Sequence, residues 1–512
     1  MEQTEPASPE FETVGVSSTK LGDATECETT ELETLEPEAM ELEDFTEPET
    51  MKLRKLGFAR STEFAEFAEL AEPGVSPTGT LPSSPRVKRP STSLNVFTAS
   101  FWTRVKWLLT VLLPVVLAAN MGGLVPLSTA FAAVAGLVAH ECIPGFGRLL
   151  LHAGRRGRDL NKPKNPVLPE SLGMAAGTVY LVTMFLFIPV PFVLERTMLF
   201  PFEQLGAYTA ALLSITCMLF LGFTDDVLNV KWRHKILLPA MSVLPLLMIY
   251  SVTSGRTEVV VPLPLRPLLG HFLQLGVLYY VYMALLAIFC THSINILAGV
   301  NGVEVGQSVV VALSIVLHNL MALRHGEPPT EHVFSLTLIL PFVAVSLALL
   351  RHNWWPATVF VGDTYCYFAG MTFAVVGILG HFGKTLLLFF VPQIFNFLYS
   401  MPQLLGLVSC PRHRLPSLNP ITGALEPSKV TFVLDRRNAP IIAVLSRIGL
   451  LRIYARNKDE ITTNNLTLLN LLLVHGGSMR EDRLAMLLMS VQTICNLSAI
   501  LLRHHFASYF FP

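Results

Sequence analysis

The chain has 512 residues, 51% of them hydrophobic and 15% charged, with a formal net charge of -1 and a mean hydropathy of +0.51. Soluble domains carry about 25% charged residues, so an ordinary soluble fold is excluded, and the near-neutral charge gives no electrostatic basis for a nucleic-acid partner. Apolar runs of about 20 residues recur from Leu124 onward, each long enough to cross a bilayer. They lack the period-two alternation of a membrane β-barrel.

Residues 1–50 hold sixteen Asp and Glu and one basic residue, Lys20. This block is rich in Thr, Pro and Ser, and the stretch 73–103 reads as a linker that turns basic at Arg86, Lys88 and Arg89, so 1–103 is expected to be a disordered acidic extension and linker. No basic n-region, apolar h-region and cleavage site open the sequence, and no ordinary signal peptide is expected. An extra apolar segment occupies 104–123; its core, 106–120, contains Pro114 and either spans or lies in the interface. Ten spans are expected after it: 124–147, 172–194, 206–224, 236–252, 272–291, 303–324, 333–350, 358–380, 385–408 and 484–505. The first nine form a core over 124–408, and the last belongs to 484–512. Between them, 409–483 reads as a loop subdomain with some strand. The expected fold is therefore an all-α polytopic membrane protein of about ten transmembrane helices, with a small cytoplasmic α/β insertion before the last helix. The seven cysteines form no CxxC pair, so neither a zinc site nor a disulfide framework is indicated.

Alternate loops are basic. One set holds Arg148, Arg155, Arg156, Arg158, Lys162 and Lys164, then Lys231, Arg233 and Lys235, then Arg351, then Arg412 and Arg414. The positive-inside rule puts this set in the cytoplasm. Every unusual polar cluster falls on that side.

LGFTDDVLNVKWRHK (221–235) ends an apolar helix on Asp225 and Asp226 and adds cations, Lys235 last. Such charges face a polar cavity or simply set helix depth. HSINILAGVNGVEVGQ (292–307) interrupts an apolar region with Asn295, Asn301, Gly299, Gly302 and Gly306. Glycines let backbone approach a phosphate, and Asn offers both a carbonyl and an amide donor; the bland alternative is a capped loop. FVGDTYCYFAGM (360–371) begins a span with Asp363 after a glycine. A hard oxygen there suits Mg²⁺, which takes one or two carboxylates plus substrate phosphates; alternatively Asp363 is a helix N-cap. PRHRLP (411–416) sets Arg412, His413 and Arg414 between prolines, either to bind phosphate or as a plain basic loop. RDLNKPKNPVLPES (158–171) ends on Glu170, which would hydrogen-bond a sugar hydroxyl or merely favour a helix dipole. A carboxylate for a cation, arginines, a lysine and Gly/Asn turns on one face suit a diphosphate. The many spans point to a lipid as the other substrate.

Together LGFTDDVLNVKWRHK, NILAGVNGVEVGQ, FVGDTYCYFAGM and CPRHRLP resemble the polyprenyl-phosphate phosphosugar transferases of glycosyltransferase family 4. The likeness is to their eukaryotic, tunicamycin-sensitive dolichol branch and runs from about Leu124 to the C-terminus. Bacterial members typically carry His-x-His where this chain has Arg412-His413-Arg414. The resemblance implies transfer of GlcNAc-1-phosphate from UDP-GlcNAc to dolichyl phosphate, with GlcNAc-diphosphodolichol and UMP as products. It also implies a multi-pass endoplasmic reticulum membrane protein whose site faces the cytoplasm, and it leaves a homodimer open. Asp363 and Asn295 would hold Mg²⁺. Arg412 would bind the diphosphate, and His413 and Arg414 the GlcNAc end. Lys235 would bind dolichyl phosphate near Ile296, and Asp225 or Asp226 would orient Lys235 or the attacking phosphate. Leu160 and Asn301 would read uracil, Gly299 and Phe360 would pack the ring, and Glu170 would hold the ribose. The rival readings are a bacterial-type acceptor lipid and, from another class, a nucleotide-sugar transporter, which would need access from both faces.

Overall fold

The computed structural model describes residues 123–162, 164–194, 202–228, 230, 232–261, 263–411, 414–457 and 460–506. The acidic extension, nearly all of the segment 104–123, and Arg412 and His413 lie outside the described residues.

Long apolar runs become helices because a helix satisfies its own backbone hydrogen bonds where water is absent. In chain order the principal helices are α1 (Leu124–His152), α2 (Gly173–Phe187), α3 (Phe202–Leu228), α4 (Leu237–Ser242), α5 (Leu244–Thr253), α6 (Val277–Ile296), α7 (Val303–Arg324), α8 (Pro329–Asn353), α9 (Gly362–Leu379), α10 (Gly383–Phe389), α11 (Val391–Leu404), α12 (Ala439–Arg447), α13 (Leu468–Gly476) and α14 (Glu481–Leu501). The protein is an all-α polytopic membrane protein with small sheets. Among the described residues, eight helices are long and apolar enough to cross a membrane, or nine if the bent pair α10–α11 is one span.

Three expected spans need correction. The run at 236–252 is broken at Val243 into α4 and α5, with proline at the start of α5, so neither piece is long enough alone. The run at 272–291 starts later, at Val277, because Phe272–Gln274 is a strand paired antiparallel with Glu258–Val260. The run at 385–408 bends by 66° between α10 and α11. Carbonyls freed at this break need donors: Gln492 Nε2 of α14 donates to the Phe389 carbonyl at 2.7 Å, and Gln393 ties Gln492 to Gln307.

Helix α9 is the most enclosed span, with buried residues on every side from Thr364 to Ile378. Its neighbours are α3, α6, α2 and α8. After α1 the chain forms a hairpin of β1 (Arg156–Arg158) and β2 (Val167–Pro169), in register from Arg156↔Pro169 to Arg158↔Val167. Between α11 and α14 lies a three-stranded antiparallel sheet, Lys429–Val433, Glu460–Asn464 and Ile453–Arg456, the second of these in the middle. Val430, Phe432, Ile442 and Ile461 share a second core with Leu297, Val300 and Val303 from the α6–α7 turn, so that turn lies where two cores meet. Asn465 is buried and bonded to Gln403 and Ser428.

Candidate active site

The site is built on the first turn of α9. Phe360 N–H donates to the Pro169 carbonyl at 2.8 Å, and Leu172 and Gly173 N–H donate to Phe360 and Val361 carbonyls at 3.1 and 2.9 Å. This stitching holds the α2 entry against the α9 entry. Gly362 has φ 73°, and a Cβ there would lie 2.2 Å from Asp226 Oδ2, so no other residue fits. The close approach has a purpose. Asp226 Oδ1 accepts from Asp363 N–H at 2.7 Å, and Oδ2 accepts from Thr364 N–H at 3.2 Å and Thr364 Oγ1 at 2.5 Å. An acidic side chain from α3 thus caps the positive end of α9. The capping role considered for Asp363 belongs to Asp226, and the Asp363 carboxylate is left for other partners.

Asp225, one residue earlier, faces elsewhere. It is 2% exposed, and its Oδ2 sits 2.9 Å from Lys235 Nζ and accepts from Tyr367 Oη at 3.0 Å. Lys235 Nζ is also 2.9 Å from Asp363 Oδ2, so one ammonium bridges two carboxylates. Burial alone would lower the Lys235 pKa, but Asp363 and Asp225 outweigh it and hold the ammonium above its ordinary value. Arg155 donates to the Asp226 and Val227 carbonyls at 2.9 and 3.0 Å, fixing the end of α3. These side chains line a cavity of about 360 Å³ in which four carboxylates (Glu170, Asp225, Asp226, Asp363) face two cations, Arg155 and Lys235.

A second cavity, of about 380 Å³, shares Asp363 and Glu170 with the first and is lined by Leu160, Asn295, Gly299, Asn301, Phe360 and Glu304. Gly299 has φ 128°, and a Cβ would meet the Leu415 side chain at 2.2 Å. Asn301 N–H donates to Glu481 Oε1 at 2.9 Å, and its Nδ2 donates to Asp159 Oδ2 at 2.9 Å. Glu170 lies ahead of α2, not in its first turn. Burial, helped by the Asp363 charge and opposed by Arg155, pushes its carboxyl above the usual range.

The structure therefore brings together Asp225, Asp226, Lys235, Asn295, Asp363, Leu160, Glu170, Gly299, Asn301 and Phe360 around two joined cavities. It does not bring in Ile296, which lines neither; its carbonyl accepts from Asn396 Nδ2 at 3.4 Å at the end of α6. Arg414 lines neither cavity, although its neighbour Leu415 lines the second. The Arg414 carbonyl is held by Asn470, and its Nη1 is buried with no hydrogen-bond partner among the described residues. Burial lowers the Arg414 pKa. Arg155, Asp159 and Glu304 carry no role in the sequence reading, since a basic loop and a helix-start Glu have many explanations. Their meeting with residues far along the chain is a tertiary fact.

The profile of glycosyl transferase family 4 matches residues 208–381. A protein of Schizosaccharomyces pombe named UDP-N-acetylglucosamine–dolichyl-phosphate N-acetylglucosaminephosphotransferase is 45% identical over 72% of this chain and 90% of its own length. The chain belongs to glycosyl transferase family 4. Relatives of the same name from Saccharomyces cerevisiae and Dictyostelium discoideum are 45% and 44% identical, over 74% and 73% of the chain and 91% and 88% of their own lengths.

A family 4 glycosyl transferase handles phosphates, and the charged cavity carries an excess of carboxylates. A phosphate entering it needs a counter-cation beyond Lys235 and Arg155. Asp363 lines both cavities and Asn295 the second, and both offer hard oxygens. Among the described residues no group of three His, Cys, Asp or Glu side chains is spaced for a metal. One carboxylate and one amide carbonyl fit a cation that completes its shell on substrate phosphates, as Mg²⁺ does.

Proposed function

We propose that this protein transfers GlcNAc-1-phosphate from UDP-GlcNAc to dolichyl phosphate, giving GlcNAc-diphosphodolichol and UMP. This is the first step of lipid-linked oligosaccharide synthesis for N-glycosylation. The observation that carries the reading is the pair of cavities meeting at Asp363, one rich in charge and the other lined by turns and amides, in a chain 45% identical to relatives bearing that name.

The chemistry follows from the charges. An oxygen of the dolichyl phosphate attacks the β-phosphorus of the nucleotide sugar, the bond to the bridging oxygen breaks, and UMP leaves with it. A phosphomonoester with a second pKa near 6 is largely dianionic at neutral pH, so no strong base is required and neither Asp225 nor Asp226 needs to act as one. The barrier lies in bringing two anions together, and fixed positive charge and positioning lower it. Lys235 receives the acceptor phosphate, and Asp225 with Tyr367 holds its ammonium in place. Asp226 holds the α9 turn that presents Asp363. Mg²⁺ held by Asp363 and Asn295 would supply charge neutralisation at the diphosphate. Asn301 and the backbone at Leu160 face the uracil, Gly299 and Phe360 pack it, and Glu170 takes the ribose. Arg412, His413 and Arg414 take the sugar-phosphate end. The basic loops support a cytoplasmic position for this end of the bundle, and the dolichyl phosphate in the relatives' names supports the endoplasmic reticulum membrane.

The test is the nucleotide released when purified protein meets UDP-GlcNAc, dolichyl phosphate and Mg²⁺. UMP supports phosphosugar transfer. UDP would mean ordinary glycosyl transfer and would sink the mechanism. Replacing dolichyl phosphate by a bacterial-type polyprenyl phosphate separates the two branches of acceptor.

A further inference from the structure

Lys235 ends the short helix Trp232–Lys235, and Ile236 separates it from α4. In an α-helix its backbone carbonyl would accept from the N–H four residues on. That position is Pro239, which carries no N–H. A carbonyl that loses its helical donor inside a protein is bonded from elsewhere. His292 of α6 supplies the bond: its imidazole N–H donates to the Lys235 backbone carbonyl.

The same ring makes a second contact. It meets Tyr367 edge to face, with centroids 5.8 Å apart and planes at 83°. Tyr367 Oη donates to Asp225 Oδ2 at 3.0 Å, and Asp225 Oδ2 lies 2.9 Å from Lys235 Nζ. The contacts close a circuit of four residues from four elements: His292 of α6, Lys235 of the short helix, Asp225 of α3 and Tyr367 of α9. Lys235 is thus held at both ends, at the ammonium by Asp225 and Asp363 and at the backbone by His292. The two grips differ in kind. An arriving phosphate competes with the carboxylates for the ammonium, but it does not compete with His292 for the carbonyl. The lysine stem is flexible, so a fixed backbone limits where a released ammonium can go. His292 lines neither cavity.

Resting on the proposed task of Lys235 toward the acceptor, we propose that His292 is a positioning residue for dolichyl phosphate: it anchors the Lys235 backbone, so that the ammonium stays at the charged cavity when the acceptor phosphate takes it over from the carboxylates. His292 takes part in no bond-making step. It acts through Lys235, and its edge against Tyr367 steadies the carboxylate to which that ammonium returns.

The experiment measures steady-state KM for both substrates on the full-length protein. His292→Phe keeps a ring against Tyr367 and removes the donor. It should raise KM for dolichyl phosphate about ten-fold, the value of one hydrogen bond, and leave KM for UDP-GlcNAc nearly unchanged. Asn places an amide N–H where Nδ1 stands, and Gln places one where Nε2 stands. One of His292→Asn and His292→Gln should therefore restore the wild-type KM for dolichyl phosphate, and the other should not. Added to Lys235→Ala, His292→Phe should have no further effect, because its influence passes through Lys235. A wild-type KM for dolichyl phosphate in His292→Phe, equal rises in both KM values, or additive effects in the double variant overturns the proposal. If His292→Phe does not fold, the Asn and Gln variants carry the test, and equal KM values in the two overturn it. A wild-type KM for dolichyl phosphate in Lys235→Ala overturns the reading of Lys235 beneath it as well, so the two failures are distinct.

Discussion

The two cavities are nearly equal in size, about 360 and 380 Å³, yet they are lined in opposite ways. Six of the seven residues around the smaller are ionisable. The larger is mostly backbone turns, amides and apolar side chains, with five charged residues, Arg158, Asp159, Glu170, Glu304 and Asp363, among its nineteen. Charge in a low-dielectric site acts on whatever anion enters and cannot recognise a base. Amide edges and tight turns recognise shape and hydrogen-bond pattern and do little to neutralise phosphate. On the proposed function the two tasks are separated in space, and the two cavities share Asp363 and Glu170.

The sharpest way to break this comparison is to remove the shared carboxylate. Asp363→Asn should reduce UMP formation by about 10²–10³-fold while the protein still folds, because Asp226, not Asp363, caps α9. Near-normal turnover would end the assignment of Asp363 to the cation. Lys235→Ala belongs to the charged cavity alone. It should raise KM for dolichyl phosphate by about 10–100-fold, as expected for a lost charge-assisted bond, and KM for UDP-GlcNAc much less. Equal rises in steady-state assays would show that the two cavities are not divided by substrate. Asp226→Ala should mainly cost stability, about 1–2 kcal/mol for a lost helix cap, read as a lower midpoint of thermal unfolding. A larger loss of turnover than in Asp363→Asn would contradict its reading as a cap.

The smallest effect is expected at Glu170, where both cavities meet. Its folded pKa is raised, first by burial, so its contribution to stability is present at low pH and is lost as pH rises through the folded value. Glu170→Gln carries no such titration. Its melting temperature relative to wild type should therefore increase from pH 4 to pH 8, with only a few-fold change in KM for UDP-GlcNAc. A difference independent of pH would mean that the carboxyl is not buried as described.

Much of this protein is written locally. Runs such as 303–324 and 333–350 are long and apolar, and they emerge as α7 with the same ends and as α8 with ends extended by a few residues across Pro341. A helix needs only its own backbone and a compatible solvent. Pro245 and Pro392 mark the breaks at Val243 and Phe390 in the sequence, but the partner of the carbonyl freed at Phe389, Gln492 from α14, is a tertiary fact. Site motifs were legible as motifs, since glycine, asparagine and aspartate in apolar surroundings are costly and need a reason.

What each motif residue does was decided by tertiary structure. Asp225 and Asp226 are neighbours in sequence, but successive residues on a helix project about 100° apart. One therefore reaches Lys235 and Tyr367 while the other reaches the first turn of α9. Ile296 lies within the 292–307 motif, yet it is not among the residues lining either cavity. Asp159 and Glu481, 142 residues before Asn301 and 180 after it, become its partners only when the ends of four helices meet. By itself the sequence determined most of the spans, the family and a core of the cavity-lining residues, Asp225, Asp226, Lys235, Asn295, Asn301 and Asp363 among them. Only the packing of the helix ends decided that Asp226 caps α9 while Asp225 and Asp363 share Lys235, because those partnerships are directions in space and a sequence carries only order along a line.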